Sequence, residues 1–366
     1  MKTLRKLIHY EIWVSVAFVT LCFLALFFFF DFIDELPNAG GNNNLYQLRH
    51  VFGFVLLSVP SHLYELMPIM VLIGTIFVMS RLAKSSEFTI LRTSGLTPLM
   101  ALRNLMGLGL AFVFITFAVG DYLAPVCDRY AQLLKSKYLG TQIKVGHTGA
   151  WLRETQANQK VFININQLSA DGSPQDIRIF EFNADGQWVA LSKAAGAQIE
   201  DGTWLLRQAE RNALQGTADE QSLKVTRADA LRWSSEISSE MIAVAILKPG
   251  RMGTVDLFQY IKHLSANGQA TQRFEIEFWK KVFYPLSCLV MVVLALPFAY
   301  LHSRSGNIAS HVFGGVLAGI SFFLLNNVFG YLGNINNWVP WFAAAAPGLL
   351  YTLASLAAFG WLVIRQ

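Results

Sequence analysis

Residues 305–364 read SGNIASHVFGGVLAGISFFLLNNVFGYLGNINNWVPWFAAAAPGLLYTLASLAAFGWLVI, without a single formal charge. A bilayer core is crossed by about 20 apolar residues in helix, so this run is long enough for two membrane helices. The break between them falls at 330–340 (GYLGNINNWVP), where Gly, Asn and Pro gather as they do in turns. Working outward, residues 12–30, 51–80, 104–120 and 282–301 are equally apolar, and with 305–364 they contain one formal charge, Glu65. Six spans follow, at about 12–32, 51–80, 102–125 and 278–301 and two in the final run. The second span holds Pro60 and Pro68, which predicts an outer interfacial piece, a kink and then the span proper. The fourth holds Pro285 and Pro297.

Composition agrees with this class. Only 14% of the residues are charged, against about 25% in an average soluble domain. The net charge of +5 does not point to nucleic acid, because of where the cations lie. Lys2, Arg5, Lys6, Arg81, Lys84, Arg92, Arg103, Arg304 and Arg365 all flank spans on one side if helices alternate, while the short loops opposite carry only Arg49. That asymmetry places both termini in the cytoplasm and the middle of the chain outside. The first span is too long, and lacks the small-residue site, for a cleaved signal peptide. Cys22, Cys127 and Cys288 have neither disulfide nor zinc spacing and read as packing residues.

The polar middle reads as β. Residues 160–168 (KVFININQL) and 176–182 (DIRIFEF) alternate with period two, and 188–191 and 203–206 are further strand-like runs. Turn pairs recur at Asp171-Gly172, Asp185-Gly186, Asp201-Gly202 and Gln215-Gly216, which suits an antiparallel sheet curled into a sandwich or open barrel. Val255, Phe258, Ile261 and Leu264 then give a short amphipathic helix. The organisation is therefore three spans over 1–126, an external β-domain over 127–250, and over 251–366 a lead-in helix followed by three more spans.

No P-loop, HExxH, GxSxG or Cys/His ligand pattern occurs, so the chain has no P-loop of its own for ATP, no metal or cofactor is expected, and nothing supports a hydrolase or transferase. The most distinctive segment is 81–98 (RLAKSSEFTILRTSGLTP), between spans two and three. Ser85 or Ser86 can cap a helix with Glu87 in its first turn. Phe88, Ile90 and Leu91 form an apolar face, and Gly95 supplies the stop. Helix–helix connections without a docking role are commonly 2–8 residues. This longer one, at about 84–96, therefore reads as a coupling helix for a soluble partner, anchored by Glu87 and Arg92. Glu65 is either functional or an interfacial anchor. Two basic groups, Arg129, Lys135 and Lys137 after span three and Arg273, Lys280 and Lys281 before span four, suit anionic headgroups or phosphates.

Three runs carry a resemblance over the whole chain: 85–95 (SSEFTILRTSG), 120–125 (GDYLAP), and Gly268-Gln269 with 273–287 (RFEIEFWKKVFYPLS). They resemble the LptF/LptG permease family of lipopolysaccharide export, the last run being more like its LptG branch. The resemblance implies a polytopic α-helical membrane protein of the inner membrane, with six transmembrane helices and an inserted all-β periplasmic domain of jellyroll type. It also implies pairing with an LptF-type permease, an LptB-type cytoplasmic ATPase dimer docked at the coupling helices (Glu87, Ile90, Leu91, Arg92 and Gly95 here), and an LptC-type single-span protein.

Spans one and five of the family face a lipid cavity. That face corresponds here to Phe27, Phe29, Phe322, Phe323, Asn326 and Phe329, with Glu65 beside them. Family members often carry lysines at the outer end of span one, where this chain has Asp31, Asp34, Pro37 and Asn38. The expected phosphate contacts therefore move to Arg129, Lys135 and Lys137, which follow a helix rich in Phe112, Phe114 and Phe117. A reading of another class is a non-transporting scaffold or sensor whose β-domain binds a periplasmic partner. The coupling segment favours the exporter.

Overall fold

A computed structural model describes residues 2–39, 46–85, 87, 90, 93, 95, 97–139, 143–144, 149–156, 159–169, 173–200, 203–215, 222–235, 237, 242, 249–300 and 308–364. Among the described residues, six helices are long and apolar enough to cross a membrane: Lys6–Asn38, Leu48–Lys84, Pro98–Lys135, Gln272–Tyr300, Ile308–Ile335 and Pro340–Trp361. They coincide with the charge-poor runs.

In detail, α1 is Lys2–Glu35 and α2 is Leu48–Lys84. Helix α3 (Pro98–Ala118) passes through a π-helical turn (Val119–Leu123) into α4 (Ala124–Leu139). Helix α5 (Thr254–Ala266) precedes span four, which is built from α6 (Gln272–Phe283), a 3₁₀ turn (Tyr284–Leu286), α7 (Ser287–Leu294) and α8 (Pro297–Tyr300). Spans five and six are α9 (Ile308–Ile335) and α10 (Pro340–Ile364).

The prolines act differently in the two spans that hold them. Pro285 and Pro297 fall where span four breaks into segments, as expected for residues that remove a donor and crowd the preceding turn. Helix α2 instead runs through Pro60 and Pro68 as one element, rather than dividing into an interfacial piece and a span. Beside Pro68, the Tyr284 hydroxyl donates to the carbonyl of Glu65, a tie from span four to a turn that has lost a donor of its own. Neighbouring helices commonly re-satisfy such turns in membranes.

One compact unit comprises residues 1–34, 55–127 and 272–366. Lipid tails are as apolar as leucine, so close backbone approach rather than hydrophobicity holds such helices together. A Cβ on Gly74 of α2 would lie 2.8 Å from the Cα and 2.9 Å from the backbone N of Val16 in α1, and Ser15 Oγ donates to the Gly74 carbonyl at 3.1 Å. Gly315 and Gly319 of α9, a small-xxx-small pair, face Ile76 and Ile69 of α2. Helix α2 is the axle of the unit, with 83% of its most apolar window buried, against 11% for span one and 17% for span five. Met70, Val71, Leu105, Phe112, Cys288 and Val292 fill the centre.

A second unit comprises 35–54 and 128–271, so α5 groups with the β-domain. Strands β1 (Ile143–Lys144), β2 (Ala150–Gln156), β3 (Gln159–Leu168), β4 (Pro174–Phe182), β5 (Trp188–Glu200), β6 (Thr203–Gln215) and β7 (Ser222–Ser234) form one antiparallel sheet. From β2 to β7 each strand pairs with the next. This is an up-and-down meander, and the Greek-key crossovers of a jellyroll are not among the described pairings. Leu152, Ile163, Ile165, Ile177, Ile179 and Leu206 make its core. Trp204 pairs edge-on with Trp233 at 5.7 Å and donates to the Ile237 carbonyl at 2.9 Å.

Candidate functional site

The connection between α2 and α3 carries the first candidate site. Ser85 still donates to the Arg81 carbonyl at 2.9 Å, so it extends α2 rather than capping a new helix. Beyond it Glu87, Ile90 and Thr93 are helical, and a spacing of three puts them close together on one face. Ile90 is 61% exposed, and Glu87 and Thr93 are exposed with it. Gly95 has φ +98°, a backbone that glycine adopts without strain, and it ends the element. Thr97 then caps α3 by accepting from the Met100 N–H at 3.3 Å, with Pro98 in the first turn. Leu91 and Arg92 lie outside the described residues. An exposed isoleucine beside an exposed carboxylate, held between two spans, has the chemistry of a small docking surface.

The cations after span three are not equivalent. Arg129 is exposed. Lys135 is ion-paired to Glu35 at 2.7 Å and lies 4.9 Å over the Phe54 ring. Glu35 is buried and also accepts from Asn38 at 3.0 Å and from the Tyr46 hydroxyl at 3.3 Å. Burial, reinforced by the Glu35 charge, pushes the Tyr46 phenol above its ordinary range. Lys135 is thereby committed to a structural node, whereas Arg129 is exposed and is not drawn into it. The side chain of Lys137 lies outside the described residues.

The cations expected before span four lie in α6, within the first turns of that span, and also diverge. Lys280 pairs with Glu277 at 2.9 Å. Lys281 is buried, donates to the Gly120 carbonyl in the π-helical turn at 2.9 Å, and sits 5.4 Å from the Tyr64 ring. It cross-links spans three and four. Arg273 is exposed.

The aromatic residues expected to line a lipid cavity separate in the same way. Phe29 is 56% exposed. Phe27 packs on the core and on His62 at 5.1 Å, and His62 is itself held to Asp31 at 2.6 Å, so spans one and two are tied there. Phe322 is 2% exposed between Tyr284 and Tyr351. It is bundle core rather than cavity lining, because spans two, four and six close over it. Phe323 packs on the same unit's core, and Phe329 lies 6.0 Å from Trp338. Asn326 is half-buried and Glu65 is exposed.

A groove of about 490 Å³, walled almost wholly by carbon, instead opens along α1 between Trp13, Leu21, Phe28, Val59, Phe112 and Ile115. Residues 13, 17, 21, 24 and 28 of α1 recur at helical spacing. That stripe was readable, but it is masked by a span that is apolar on every face. A second groove of about 600 Å³ lies over Phe18, Phe77 and Val312, beside the ion pair of Glu11 with Arg81 at 2.5 Å.

Comparison with known proteins gives one family for the chain as a whole. The lipopolysaccharide export system permease LptF/LptG family matches residues 6–362. The chain is similar to the lipopolysaccharide export system permease protein LptG of Escherichia coli K12, with 25% identity over 366 positions covering 99% of this chain and 98% of the relative. It is also similar to LptG of Haemophilus influenzae, with 24% identity over 338 positions covering 92% and 90%.

Proposed function

The chain belongs to the LptF/LptG family of lipopolysaccharide export system permeases, and on that premise we propose that it is one membrane half of an ABC exporter. It draws lipopolysaccharide from the outer leaflet of the inner membrane and passes it toward a periplasmic bridge. An LptF-type permease supplies the other half, an LptB-type ATPase dimer supplies the energy from the cytoplasm, and an LptC-type single-span protein associates at the membrane. The β-domain stands in the periplasm. The chain has no P-loop, so hydrolysis must come from a partner.

The observation that carries this reading is the exposed turn of Glu87, Ile90 and Gly95, seated between two spans. The apolar groove beside Trp13 and Phe28 suits acyl chains, and the largely exposed α1 leaves surface for lipid and partners. Arg129, with Lys135 and Lys137 near it in sequence, is our candidate for the lipid phosphates.

Glu87→Arg tests the coupling. The expected result is loss of at least nine-tenths of the ATP hydrolysis of the purified complex, or loss of the ATPase from it, with membrane insertion unchanged. Reversing a charge at a complementary interface costs several kcal/mol, enough for that loss. Full hydrolysis and full assembly in this variant would reduce the segment to a passive connection.

A further inference from the structure

Spans four and five meet in a polar notch whose chemistry the coupling and groove features do not use. Helix α6 brings Arg273, Glu277 and Lys280, spaced as i, i+4 and i+7, and α9 brings Asn327 and Asn334 with Tyr331 between them. The notch encloses about 190 Å³. It is preformed, because Gln272 Nε2 donates to the carbonyls of Gly333 and Trp338 at 3.2 and 2.6 Å, pinning the start of α6 to the end of α9. Gly330 leaves the α9 backbone bare where the Lys280 ammonium lies: a Cβ there would come within 2.4 Å of Nζ.

The charges define what fits. Lys280 closes with Glu277 at 2.9 Å. The Arg273 guanidinium and the Asn327 and Asn334 carboxamides are exposed and have no hydrogen-bond or ionic partner among the described residues. One uncompensated positive charge and several N–H donors therefore converge on a small space. Polar side chains on a membrane helix are costly unless they serve a ligand or partner. Below Asn327 the same stripe of α9 continues as Leu324, Ile320, Leu317 and Phe313, 56%, 46%, 53% and 63% exposed. This is a polar head site with an apolar track leading from it along the span.

We propose that the notch binds the phosphodiester headgroup of a membrane glycerophospholipid, its single negative charge on Arg273, its other oxygens on Asn327 and Asn334, and its tails along α9. A doubly phosphorylated sugar headgroup carries more charge and more volume than the notch offers, so this lipid is distinct from the exported one. The inference goes beyond the export reading and does not depend on it.

The test uses the complex carrying this chain, delipidated in detergent and titrated by native mass spectrometry with phosphatidylglycerol, phosphatidylethanolamine, lipopolysaccharide and inorganic phosphate separately. Arg273→Gln with Asn327→Leu should weaken phospholipid binding about ten- to hundredfold, the loss expected for one charge-assisted contact and its neighbour. Arg273→Lys should retain most of the binding. Unchanged phospholipid binding in the double variant overturns the proposal. So does loss of lipopolysaccharide binding alone, which would make the notch part of the export path. Inorganic phosphate binding as tightly as the lipids would assign a free anion instead. Failure of the export reading itself would appear separately, as absence of lipopolysaccharide binding in the unmodified complex.

Discussion

Replacing Gly74 with leucine is expected to drive spans one and two apart and to cost about 3 kcal/mol or more, at or beyond the upper end of what overpacking does in a filled interior. The reason lies in what the new side chain meets. A Cβ at this position would stand 2.8 and 2.9 Å from the Cα and N of Val16, and backbone atoms have no rotamer to escape into. The same shift would stretch the Ser15–Gly74 hydrogen bond. Gly107→Ala is the control, since nothing lies within 4 Å of a Cβ there. It should be neutral or gain up to about 1 kcal/mol from helix propensity. Thermal unfolding of both variants in detergent reads the difference, and equal midpoints would mean that the two spans are not in backbone contact.

Glu35→Ala is expected to cost about 2–3 kcal/mol. Breaking a buried ion pair typically costs about 3–5 kcal/mol because the surviving charge is stranded, and the Lys135 side chain, 33% exposed, recovers part of that from water. The loss also orphans the Tyr46 hydroxyl and the Asn38 amide, which share the same carboxylate. Adding Lys135→Met to Glu35→Ala should restore about half the stability, because the stranded ammonium is then gone and the methylenes still cover Phe54. If the single variant loses less than about 0.5 kcal/mol, the node is an ordinary surface contact. If the double variant is no better than the single, the cost lies in Tyr46 rather than in the ion pair.

The helices were legible because a span is a composition signal: five long runs with one formal charge among them admit few alternatives. What composition could not convey is which face of each helix is inward, since a span that is apolar all round has no amphipathic stripe. Phe322 and Phe29 look alike in sequence, yet one is core and the other exposed, and the groove formed with Trp13 and Phe28 was missed for the same reason. In the β-domain, 160–168 and 176–182 alternate cleanly and were readable. Strand β5 contains Ala, Gly and Lys (WVALSKAAGAQIE), residues poor in β-propensity, so only its first four residues announced it. Strand β7 is an edge strand, exposed along nearly its whole length, and lacks the burial pattern that makes a strand visible. The partners of single charges were the least legible feature. Lys135 and Arg129 are both cations after span three, and only the fold reveals that Glu35, a hundred residues away, has already claimed one of them.

The continuity of α2 has a mechanical consequence. Its 37 residues make a rod roughly 55 Å long at about 1.5 Å per residue. Its residues 55–84 lie in the bundle and lead to Glu87. Pivoting such a rod about its middle by about 10° swings each tip through roughly 5 Å, about one helical pitch. A jointed member like span four would absorb that rotation in its bends. The unbroken one delivers it undiminished, as a lever with no slack between effort and load.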